Sequence, residues 1–76
     1  MIDDSHPIRT AILNAFASGR ALLLPHEFAR ATGHTLGRIA YHFRVLEESG
    51  RIETAAQLQM GATVARVYRT VPGGAR

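Results

Sequence analysis

Arg38, Tyr41 and Arg44 recur at i, i+3 and i+6 in this 76-residue chain. On a helix that spacing lines them along one face. The face would carry two guanidinium forks and a phenol, a chemistry suited to nucleic acid. Arg38, early in the helix, is placed to meet O6 and N7 of a guanine in bidentate fashion. Tyr41 can reach a phosphate or a thymine methyl, and Arg44, a turn later, suits a phosphate. The plainer alternative is a solvated helix face with one exposed tyrosine. Thr35 opens the same segment, where its hydroxyl should cap the helix and can also donate to a phosphate. Gly37 costs about 1 kcal/mol of helix propensity relative to alanine, which suggests a demand for close approach. His42 lies at the edge of the apolar side. It reads first as a half-buried histidine bonded to backbone and second as a phosphate contact. Arg66 and Arg69 fall on opposite faces of a later strand. Arg66, nearer the hairpin tip, is the choice for a minor-groove or phosphate contact.

These residues need a frame, and residues 26–50 supply one. Ala29, Gly33 and Ile39 fall in the register of a helix-turn-helix. Ala29 is small where a second helix must cross, and Gly33 can take the left-handed conformation of a tight turn. Ile39 points back into the angle between the helices. Such a unit lays its second helix, here residues 35–49, in a DNA major groove; two core helices joined by glycine are the alternative. Upstream, a first helix is expected from Pro7, capped by Ser5 or His6. Its core stripe is Ile8, Ala11, Ile12, Ala15 and Phe16, and it stops at Gly19. Leu13 lies off that stripe as surplus apolar surface, a candidate dimer contact. Leu22–Leu24 forms a short extended segment before Pro25 opens the second helix, with Phe28 as its main core anchor.

Ile39, Phe43 and Leu46, with Leu36 beside them, make the inner face of the third helix. Glu47 and Glu48 sit at its C-terminal end, against the helix dipole, which leaves the first two turns free of negative charge. After Gly50 the period changes to two: Ile52, Thr54, Ala56 and Leu58 alternate, then residues 64–71 form a β-branched strand. Met60-Gly61-Ala62-Thr63 is the turn between them. The expectation is one domain, residues 6–71, mainly α with a small β-hairpin: a winged helix-turn-helix of three helices and a two-stranded wing, 52–71. Residues 1–5 and 72–76 are expected to be flexible termini.

Composition narrows the possibilities. The net charge is +3 and every basic residue is arginine. Residues 1–32 and 33–50 each balance to zero, so the excess lies in 51–76, where Arg51, Arg66, Arg69 and Arg76 face only Glu53. A basic C-terminal third suits nucleic acid. With no cysteine there is no disulfide framework and no thiolate ligand. His6, His26, His34 and His42 show no metal-binding spacing, so neither metal nor cofactor is expected. No phosphate loop, nucleophile elbow or acid–base pairing points to an enzyme. No apolar run approaches a membrane span or a signal peptide, and the expected compartment is the cytoplasm, in association with the nucleoid. A domain this small buries only about 60% of its unfolded surface, which favours a dimer.

The chain also resembles a family. His6-Pro7-Ile8-Arg9 with Ile12-Leu13, then Thr35, then the run Tyr41-His42-Phe43-Arg44-Val45-Leu46-Glu47-Glu48-Ser49-Gly50, and a wing closing on Tyr68, are similar to the ArsR-type bacterial repressors. The resemblance spans residues 6–70, and His42 matches the family histidine. It implies a winged helix-turn-helix that binds operator DNA as a repressor. Four features depart from the family pattern. The metal-sensing cysteines are missing, and so is the C-terminal helix through which many members dimerise. His34 replaces the usual apolar residue after the turn glycine, and the wing tip is not basic.

Two functions follow as expectations. The first is a small sequence-specific transcriptional regulator, a homodimer on a short palindromic duplex. The second is a winged helix used as a protein-interaction module, with the apolar wing tip and Leu13 as its contact surfaces.

Overall fold

A computed structural model describes residues 6–71; the expected flexible termini lie outside the described residues. Helix α1 spans Pro7–Ala17, α2 Pro25–Thr32 and α3 Leu36–Glu48, followed by strands β1, Ile52–Met60, and β2, Thr63–Thr70. Three helices and an antiparallel hairpin give the expected winged helix-like architecture.

Local chemistry sets the helix ends. Pro7 and Pro25 open α1 and α2, where a missing N–H breaks no intrahelical bond. His6 is the N-cap of α1, its Nδ1 accepting the Ile8 N–H at 3.2 Å. Gly33 closes α2 with φ at 79°, and its N–H donates to the Ala29 carbonyl. That left-handed residue is the turn of the helix-turn-helix, a conformation that would strain a β-carbon. Thr35 then caps α3, accepting the Arg38 N–H at 3.2 Å.

One core results. Ile39, Phe43 and Leu46 of α3 are fully buried among Ile8, Ile12 and Phe16 of α1, with Leu23, Ala29, Ile52 and Tyr68. Each such side chain contributes about 1.5–3 kcal/mol by leaving water. Phe43 is its centre, stacked on Tyr68 with centroids 5.0 Å apart and met edge-on by Phe28 at 5.9 Å. Leu23 exchanges two backbone hydrogen bonds with Tyr68, of 3.0 and 2.8 Å, and so ties the α1–α2 connection to the wing.

Five expectations need correction, the first being Ala11, which the helix period placed in the core stripe of α1 and which is exposed. Leu36 is 39% exposed, because it occupies the first turn of α3, before the helix meets the core. Phe28 is only partly buried; Pro25 and Ala29 are the buried residues of α2. Leu13 is half-buried and packs against the core, so only part of it remains as surface. The fifth correction concerns the wing. A bulge between Thr54 and Ala56 breaks the alternation of β1. Ile52 and Thr54 pair with Thr70 and Tyr68, whereas Ala56 and Leu58 pair with Val67 and Ala65. Paired residues share a face, so the extra residue turns Ala56 and Leu58 away from α3.

Candidate nucleic-acid interface

The expected reading face is assembled on α3. Thr35, Gly37, Arg38, Tyr41 and Arg44 are all exposed, and the core residues of the helix point the other way. Tyr41 is 56% exposed, a large apolar ring left in water. Among the described residues, Arg38 and Arg44 make no salt bridge. A β-carbon built on Gly37 would meet nothing within 4 Å, and the residue has no positive φ. The fold itself therefore places no demand for glycine at this position.

Arg66 occupies a different setting from the one its sequence position suggested. It lies on the wing face that looks toward α3, half exposed, with Nη1 3.5 Å from Glu47 Oε1. The other oxygen of the same carboxylate accepts the Thr54 hydroxyl at 2.7 Å. Glu47 thus clasps both wing strands to the end of α3. The position against the helix dipole is offset by these two contacts. Arg69 pairs across the hairpin with Glu53 at 2.7 Å. Arg69 is therefore matched within the wing and Arg66 by α3, whereas Arg38 and Arg44 on α3 meet no carboxylate among the described residues. Glu47 and Glu48 line the groove between the far end of α3 and β2 together with Arg44 and Arg66, while the first turns of α3 carry no carboxylate.

His42 belongs to the interior. It is 6% exposed, and its Nδ1 lies 3.1 Å from Nη1 of Arg9. A guanidinium only donates, so that Nδ1 must be the acceptor and the ring neutral, with its proton on Nε2. The ring faces His6 with centroids 4.2 Å apart and planes tilted by 35°, and it meets Tyr41 edge-on at 5.1 Å. Burial first, and then the neighbouring His6, Arg9, Arg38 and His34, hold its pKa below the ordinary histidine value. A phosphate contact is a poor fit for a ring so enclosed. His42 instead braces the back of the helix that carries Arg38 and Tyr41.

Sequence distance concealed this cluster, since His6 and His42 stand 36 positions apart. The signal that could have found it is the N-cap position of His6, at the end of α1 that packs on α3. Among the described residues, no three histidine or carboxylate side chains gather as a metal site. No helix there is long and apolar enough to cross a membrane.

The wing tip completes the surface. Leu58, Met60 and Val64 are exposed by 43%, 45% and 53%, and no charge occurs between Glu53 and Arg66. Gly61, with φ at 63°, turns the hairpin in two residues. Compared with known proteins, the chain matches no protein-family model and no curated protein.

Proposed function

We propose that the protein is a small sequence-specific DNA-binding regulator, a repressor of the ArsR-like kind, that inserts α3 into the major groove. The observation that carries this reading is the exposed series Arg38, Tyr41 and Arg44 on a helix whose opposite face is fully buried. Two arginines without carboxylate partners and a glycine with no structural requirement are what a groove-reading helix presents. In this reading Arg38 meets a guanine edge, while Tyr41, Arg44 and the Thr35 hydroxyl hold the backbone. Arg66 contributes a phosphate contact after exchanging its weak partner Glu47, since a half-exposed pair at 3.5 Å is worth about 0–1 kcal/mol. A homodimer would double a footprint that one short helix limits. Selection from a random duplex library tests the reading. Enrichment of a short motif containing guanine supports it, and recovery of no motif refutes it.

A second reading is favoured by the wing tip, where Leu58, Met60 and Val64 offer apolar surface without a cation. A protein partner would use that surface, and Leu58→Lys would abolish its binding while leaving duplex binding intact.

A further inference from the structure

We propose that His6, Arg9 and His42 form an acid-sensitive joint between α1 and α3, closed while the His42 ring is neutral and opened by its protonation. The geometry is specific at each ring. His6 Nδ1 accepts the Ile8 N–H and caps α1. His42 Nδ1 accepts from Arg9. Both donors are fixed in kind, because a backbone amide and a guanidinium have hydrogens to give and no lone pair to offer. The His42 ring can therefore bind a second proton only at the nitrogen that already accepts a hydrogen bond. Protonation would set donor against donor at the α1–α3 contact.

The surroundings oppose the charge as well. The two ring centroids are 4.2 Å apart, so two imidazolium ions would repel at contact distance. Arg9 from α1, Arg38 from α3 and His34 from the α2–α3 turn all act against a proton on His42, and Tyr41 meets its ring edge-on. Among the described residues, no carboxylate is one of the groups that act on it. Desolvation adds to the same effect, and His42 titrates below the ordinary histidine value.

The sign follows from linkage. Above the unfolded value, about 6.5, both states are neutral at this site and the joint contributes in full. As pH falls below it, the unfolded or opened chain takes up the proton first. The opening equilibrium then rises by up to about tenfold per pH unit for one proton, until the lowered folded value is reached. The consequence at the surface rests on the DNA-binding reading. Tyr41 and Arg38 flank His42 on α3, so displacement of the ring moves both. Acidification should then weaken duplex binding, opposite in sign to the general gain a protein makes as its histidines become cationic.

The test uses the full chain between pH 7.5 and 5.5 at constant ionic strength. Thermal unfolding is followed in the wild type, in His6→Asn and in the His6→Asn/His42→Asn pair, and the NMR titration of the His42 ring in the first two. Asparagine is itself a good N-cap and does not titrate, so the single variant keeps α1 capped. The wild-type midpoint should fall on acidification, the single variant should fall less, and the pair should be nearly flat. A flat wild type, or a pair variant that falls as much as wild type, overturns the joint. Binding to a duplex enriched from the random library is measured over the same range. Affinity that rises with acid while the midpoint falls overturns the link from the joint to α3. Absence of any enriched duplex refutes the DNA reading alone, because the unfolding and NMR measurements still decide the joint.

Discussion

Among the described residues, Arg38 and Arg44 enter solvent without a carboxylate to hold them, whereas Arg66 and Arg69 each face one. The side chains are the same and the environments differ. A free guanidinium at the start of a recognition helix has nothing to give up before meeting a base edge. Arg38→Ala should accordingly lose about 1–3 kcal/mol of discrimination at one base pair, measured by competition between single-substitution duplexes; equal losses on all of them would reassign Arg38 to a phosphate. Gly37 supports a sharper contrast, because nothing within the protein lies within 4 Å of where its β-carbon would go. Gly37→Ala should raise thermal stability by up to about 1 kcal/mol and lower duplex affinity if DNA approaches that backbone. A variant that gains stability with unchanged affinity would leave Gly37 without a functional role. His42 shows where sequence reasoning stops at this scale. The period of α3 placed it at the edge of the apolar face, but its enclosure by Arg9 and His6 depends on how α1 docks, which no local pattern encodes.

The elements were the most legible level. Pro7, Pro25, Thr35, Gly33 and Gly50 mark helix ends through backbone chemistry that acts within a few residues, and the helices begin or end beside each of them. The wing was less legible, because a bulge is an irregularity of pairing that period-two reading passes over; Ala56 and Leu58 changed face through the one extra residue. Glu47 was likewise readable only as a dipole misfit until the hairpin folded back onto it. The contacts to Thr54 and Arg66 make the clasp testable. Glu47→Gln retains an acceptor for Thr54 and removes the charge that holds Arg66. Duplex affinity should rise a few-fold at low salt, with thermal stability changed by less than about 1 kcal/mol. Unaltered affinity would mean that the wing stands clear of the phosphates. In the opposite direction, Arg66→Ala should weaken specific and nonspecific binding alike and reduce the salt slope by roughly one unit. A loss confined to one sequence would show the wing reading bases.

At the scale of the whole molecule, the wing tip is apolar and uncharged, whereas α3 carries its arginines beside the exposed Tyr41. Arg38 and Arg44 there meet no carboxylate among the described residues, and Leu13 is half withdrawn into the core. A two-fold dimer that reads a palindrome must set its recognition helices about 34 Å apart, and with Leu13 only partly exposed its interface needs further apolar surface. Sedimentation of the chain, free and on an enriched duplex, should give two copies per duplex. One copy per duplex would confine recognition to a single half-site. The central claim is that α3 is a DNA-reading helix, and salt dependence tests it most directly. Binding to an enriched duplex is titrated from 50 to 200 mM salt for the wild type and for Arg44→Ala. The account predicts a linear fall of log affinity with log salt, less steep by about one unit in the variant. Binding that ignores salt, or a slope that Arg44→Ala leaves unchanged, would contradict it.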